Sequence, residues 1–251
     1  MGARTTGIPP SANGASSFHL GWLLSGDFDT AAVTLEVLEP PTVPRLYFWA
    51  LQVDVAGPVG RAGGAHLGLQ WHPQYPGSTA VNWGGYHASG GELQGSDSAL
   101  PSTLGNPNTR DLSWAPGHRY RLRVQRVADP GAADLPGGWS AWRGSVEDLL
   151  GGGPVVVRDL YLPGDSIVAV TMWAEVFARC DDPPVTVRWS DPVAMRAGEM
   201  TVPAAWVVNY QSHPDGGCAN TDSSVDDVGA LQRTTVRRTT RQGTHLPVPR
   251  S

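Results

Sequence analysis

In the run His66-Leu67-Gly68-Leu69-Gln70-Trp71-His72, polar side chains recur at every second position. If the run is a β-strand, its two-residue side-chain period puts His66, Gly68, Gln70 and His72 on one face and Leu67, Leu69 and Trp71 on the other. Two imidazoles and an amide beside a glycine gap could hydrogen-bond a polar ligand. With His66 or His72 as acid or base they could also act on one. The next segment, Val81-Asn82-Trp83-Gly84-Gly85-Tyr86-His87, sets two rings, an amide and an imidazole around a Gly-Gly pair. Indole and phenol rings stack on sugar C–H faces, while amides and imidazoles meet hydroxyls. Gln70, Trp71, Asn82, Trp83, Tyr86 and His87 are therefore the expected ligand-binding residues. The competing reading is a strand face that simply meets solvent or pairs across its sheet.

Tryptophan sharpens the expectation, because there are ten. Trp49, Trp173 and Trp189 sit in apolar or alternating runs and are assigned to the core. Trp71, Trp83, Trp114 and Trp139 lie near loops and are the candidates for a binding platform. Glu175 lies mid-strand among apolar neighbours, where a carboxylate is costly unless paired. A salt bridge to Arg188 or to an arginine of 119–123 is its expected role, with a catalytic acid as the alternative. The alternating acidic run of a two-carboxylate glycosidase is missing.

Asn220-Thr221-Asp222-Ser223-Ser224-Val225-Asp226-Asp227 gathers oxygen atoms. Asp222, Asp226 and Asp227 could hold Ca²⁺, although ordinary turns are equally rich in such residues. No other cofactor is expected. Cys180 and Cys218 sit in Asp/Gly/Pro-rich loops and suit one disulfide if the compartment is oxidising. No nucleotide-binding glycine loop and no nucleophile elbow occurs.

Composition narrows the classes further. All 18 basic residues are arginine, Ile is scarce, and Gly (31) and Pro (22) form about a fifth of the chain. The absent lysine fits G+C-rich coding and carries no functional weight. A net charge of −5 and a pI near 5.7 disfavour nucleic acid as a partner. No apolar stretch approaches a membrane-spanning length, so no membrane insertion is expected. The N-terminus lacks an apolar core, so no secretory signal is read, while Gly2 and Thr6 match a myristoylation spacing by chance. Compartment and oligomeric state stay open.

The elements that must position these residues are short β-rich runs divided by Gly/Pro/Asp/Asn clusters. Alternation is plain at 33–37, 119–125 and 185–190. The runs 47–55 and 168–177 are apolar on both sides, as in central strands. Further strands are expected at 18–24, 66–72, 79–83, 155–162, 201–209 and 233–240. One short helix is expected at 145–150, where a serine precedes two acids and a triple glycine follows. The pattern implies an all-β, antiparallel two-sheet sandwich over 18–246, with a flexible lead-in at 1–17 and a tail at 247–251.

Leu46-Tyr47-Phe48-Trp49 followed by Gly64-Ala65-His66-Leu67-Gly68-Leu69-Gln70 resembles the paired strands of concanavalin A-like jelly-roll sandwiches, including bacterial domains of unknown function. Trp142-Arg143-Gly144-Ser145-Val146, Trp173-Ala174-Glu175 and Arg188-Trp189-Ser190-Asp191-Pro192 extend the likeness over about 45–195. The resemblance implies a fold that hosts lectins, glycosidases, lyases and inert modules alike. Gln70-Trp71-His72 also resembles the Gln-x-His strand of jelly-roll polysaccharide lyases, without that family's arginine-rich companion strand or its tyrosine strand. The expected function is a non-catalytic module for carbohydrate or another hydroxyl-rich ligand. The alternatives are a polysaccharide-active enzyme using His72, His66 or Glu175, and a structural or protein-interaction domain.

Overall fold

Period-two alternation builds nearly every element of the computed structural model, which describes residues 4–58, 60–127, 136–210 and 217–249. The strands are β1 (Ser16–Trp22), β2 (Thr30–Glu39), β3 (Tyr47–Gly57), β4 (Gly60–Trp71), β5 (Thr79–His87), β6 (Thr109–Asp111), β7 (Arg119–Val127) and β8 (Ser140–Asp148). They continue as β9 (Val155–Leu162), β10 (Ser166–Val176), β11 (Thr186–Arg196), β12 (Glu199–Thr201), β13 (Ala205–Tyr210), β14 (Asp222–Val225), β15 (Ala230–Arg233) and β16 (His245–Pro247). One sheet runs β16-β13-β1-β10-β3-β4-β5-β6. The other runs β14-β15-β11-β2-β7-β8-β9, with β12 paired to β11. All pairs are antiparallel, and the fold is the expected all-β sandwich.

The core lies between the sheets. From the first come Phe18, Leu20 and Trp22 of β1, Trp49, Leu51 and Val53 of β3, and Leu67 and Leu69 of β4. Trp83, Trp142, Trp189 and Trp206 are wholly enclosed with them. An indole burying about 200 Å² at about 25 cal/mol per Å² contributes roughly 5 kcal/mol before entropy is counted. Trp83 packs flat over Gly144, where a Cβ would come within 2.7 Å of the ring.

Three local expectations are corrected. Residues 145–150 do not form a helix, because β8 runs to Asp148 and pairs with both β7 and β9; ladder bonds on two sides outweigh a weak capping signal. The run 233–240 leaves strand geometry after Arg233, and 201–209 is interrupted between Thr201 and Ala205. Gly2, of the myristoylation spacing, lies outside the described residues.

Candidate functional site

The face of the first sheet turned away from the core carries an unusual set of groups. Antiparallel register puts directly opposed residues on the same side. One row across the sheet is therefore Ser17, Glu175, Phe48 and Gln70. The next is His19, Trp173, Ala50, Gly68 and Asn82. The third is Gly21, Thr171, Gln52, His66 and Gly84. Gly68 is there because β3 and β4 approach closely: a Cβ would sit 1.9 Å from the Trp49 carbonyl oxygen.

Within these rows lies a groove of about 440 Å³, lined by Asn13, Ser17, His19, Phe48, Gln52, His66, Tyr86, Trp173 and Glu175. Phe48, His66 and Trp173 pack edge to face, with centroid separations of 5.7 Å for Phe48–His66 and His66–Trp173 and 4.9 Å for Phe48–Trp173. Glu175 receives hydrogen bonds from Asn13 Nδ2 (2.9 Å) and Ser17 Oγ (3.4 Å), both on Oε1. Burial pushes its carboxyl above the usual range, and these two bonds only partly offset that. Burial also lowers the His66 imidazole to about 4 and moves His19 down. A carboxyl raised and an imidazole lowered in one groove favour their uncharged forms together, a state from which protons can be given and taken.

Of the residues expected from sequence, His66, Tyr86 and Glu175 line the groove. Among the described residues Glu175 makes no salt bridge: Arg188 is held by Glu36 and Asp226, and Arg119 by Asp191, on the other sheet. His72 follows the end of β4, outside the groove lining; its Nδ1 accepts from Gln74 N and its ring meets Tyr75. Gln70 and Asn82 share the outer face but lie outside the groove lining, Asn82 donating to Thr109 Oγ1. Trp71 points inward toward Trp114 and donates to the Val43 carbonyl. Trp83 belongs to the core. His87 pairs with the ring of Trp139 at the end of β5.

The acidic loop is spent on the protein itself. Asp222 accepts from Thr239 N, Thr240 N, Thr239 Oγ1 and Tyr210 OH. Asp226 takes Arg188 and the amides of Val228 and Gly229. Among the described residues no group of three His, Cys, Asp or Glu side chains is placed to hold a metal. Cys180 and Cys218 form a disulfide.

Asn13, Ser17, His19, Gln52 and Trp173 escape the sequence reading. The available signal is alternation: Ser17, His19 and Gly21 interleave with Phe18, Leu20 and Trp22, and Gln52 and Asp54 interleave with Leu51, Val53 and Val55. Trp173, assigned to the core, sits instead in a small cluster with Phe48 and Ala50 on the outer face.

No protein-family model matches the chain, and no curated protein does. Among solved structures, a crystal structure of scytalido-glutamic peptidase with a peptide-based transition-state analog is similar over 87% of this chain and 98% of that one, at TM-score 0.49 and 14% identity. SCP-B, a member of the eqolisin family of peptidases in complex with the tripeptide Ala-Ile-His, gives 0.46 and 13% over the same shares. A native glycosidic hydrolase gives only 0.24 and 10%, over 67% of this chain and 80% of that. The expected non-catalytic carbohydrate module is corrected: of its four platform candidates, Trp83 and Trp114 lie in the core and Trp71 packs inward against it, so the expected aromatic platform is not formed.

Proposed function

We propose that the chain is a hydrolase of amide bonds, a peptidase, in which Glu175 is the acid/base. The observation that carries this reading is a carboxyl, displaced upward by burial, in an open groove where no second carboxylate and no arginine is among the described lining residues. Glycoside hydrolysis needs two carboxyls flanking the bond, and uronate chemistry needs a cation to neutralise the substrate acid. Amide hydrolysis needs one acid/base and donors for an oxyanion. Glycosidic hydrolase is named for one structural neighbour, and glutamic peptidase for others; the groove chemistry favours the latter.

Ionised Glu175 takes a proton from water as the water oxygen bonds to the carbonyl carbon. The carbonyl π pair moves onto its oxygen, which meets an N–H of neutral His66 and the second N–H of Gln52, whose Nε2 also donates to Asp54 Oδ1 (3.3 Å). The C–N bond then breaks, and Glu175 returns its proton to the departing nitrogen. Carboxylic acid and amine are the products. The finer fold assignment, a concanavalin A-like jelly roll, is proposed on the two antiparallel sheets and the aromatic runs near 46–49 and 142–146.

The test is release of new amino termini from carboxymethylated casein, followed from acid to neutral pH. Wild type should cleave, and Glu175→Gln should lose about 10³-fold in rate. Absence of cleavage at every pH, or wild-type rates from Glu175→Gln, would refute the proposal.

A further inference from the structure

Two nitrogen atoms in the groove lining have no partner among the described residues: Nδ1 of His19 and Nε1 of Trp173. They belong to directly opposed residues of β1 and β10, and their rings are 6.4 Å apart at a 58° tilt. Trp173 is 8% exposed, so its N–H is removed from water with nothing to donate to. A buried polar group left in that condition costs free energy that a ligand returns on binding.

The two atoms differ in polarity. Indole Nε1 only donates. A neutral imidazole carries one donor and one acceptor nitrogen. Burial disfavours the charged ring of His19, and in the tautomer protonated on Nε2 the unpartnered Nδ1 accepts. An acceptor and a donor side by side match the N–H and C=O that one extended residue presents on a single edge, the pair exchanged between strands in an antiparallel ladder.

We infer that His19 and Trp173 form a main-chain anchor that takes one extended residue of a polypeptide substrate beside Glu175. Its N–H bonds to His19 Nδ1, and its C=O accepts from Trp173 Nε1. The inference rests on the peptidase reading and names its substrate class more closely: an unfolded or extended chain recognised by backbone, with no charge demanded of its side chains. Phe48 and His66, packed on the Trp173 ring, hold the indole in place.

The test compares KM and kcat on an internally quenched peptide for wild type, His19→Phe, Trp173→Phe and the double variant. Phenylalanine keeps an aromatic ring at each site and removes the nitrogens, together with the second ring of the indole at 173. Each single variant should raise KM about tenfold with kcat changed less than about twofold, the worth of one hydrogen bond. The double variant should fall short of the product of the two, since both atoms grip the same residue. His19→Asn, which returns an acceptor near Nδ1, should recover most of the loss. Unchanged KM overturns the anchor, as does a fall in kcat alone, which would make Trp173 a transition-state donor instead. Peptide binding to Glu175→Gln, measured calorimetrically with a pool of Nα-acetylated, C-amidated peptides, separates the two proposals. Binding that Trp173→Phe weakens, without cleavage by wild type, keeps the anchor and sinks the hydrolase; no binding sinks the anchor.

Discussion

Asn13 Nδ2 donates a 2.9 Å hydrogen bond to Glu175 Oε1, joining residues 162 apart in the chain. The segment before the first strand thus supplies a neutral donor to the carboxyl that lines the groove. That bond lowers the Glu175 pKa, against the larger upward push of burial.

Asn13→Ala should therefore move the Glu175 pKa further up. Activity that requires the ionised carboxylate falls as pH drops through that pKa. The acid limb of kcat/KM should accordingly shift to higher pH in the variant, with the neutral-pH rate little changed. A pH–rate profile on one peptide checks this; a limb in the wild-type position would show that the bond does not govern the carboxyl.

Glu175 also bears on stability. A carboxyl raised in the folded state stabilises fully below its unfolded pKa, and that contribution is lost as pH rises through the folded value. Glu175→Gln should be more resistant to urea than wild type at neutral pH and equal to it in acid, while losing activity. Stability and function would then part at one residue.

His66 works in the opposite sense. Its pKa is lowered from 6.5 to about 4, so the folded state prefers the neutral ring. Stability from this group is present above pH 6.5 and declines as pH falls toward 4, by a total of about 3 kcal/mol. Urea midpoints across that window should fall in wild type and stay flatter in His66→Phe, whose ring keeps the edge contacts with Phe48 and Trp173.

The Cys180–Cys218 disulfide closes a separation of 38 residues. Chain entropy sets its contribution at about 4 kcal/mol. Replacing both cysteines by serine should cost that order in denaturant unfolding. Cys180 N bonds to Gly7 O and Cys218 N to Ser16 Oγ, so the variant should also loosen the segment that carries Asn13. Faster proteolytic nicking within residues 4–15 is the expected sign.

Gly144→Ala should destabilise by about 1–3 kcal/mol, because the new methyl meets the face of buried Trp83. Peptide cleavage per folded molecule should be unaffected, since Trp83 lies on the far side of the sheet from the groove. Altered specificity in this variant would contradict that orientation.

Alternation made part of the site legible. It puts His66 and Gly68 on one face, as the register does, and apolar neighbours mark Glu175 as an anomalous acid. The run 47–55 concealed Gln52, because Phe48 and Ala50 make its outer face apolar at one end and read as burial on both sides. Trp173 was hidden for the same reason: its neighbours are apolar, and composition cannot tell a core indole from one packed in an outer cluster. Glycine-rich context misplaced Trp83, whose burial against Gly144 depends on a contact between sheets. Asn13 could not be found at all, since its partner is set by tertiary folding alone.

The antiparallel pairing of β1 with β10 has a consequence in time. A chain made from its amino end carries His19 and Ser17 early, but their neighbours Trp173 and Glu175 come about 155 residues later. No groove exists until that late strand emerges and inserts between β1 and β3. Long-range pairing of this kind is slow to form. A groove assembled this way takes shape only late in the chain's own synthesis, once β10 has joined β1 and β3.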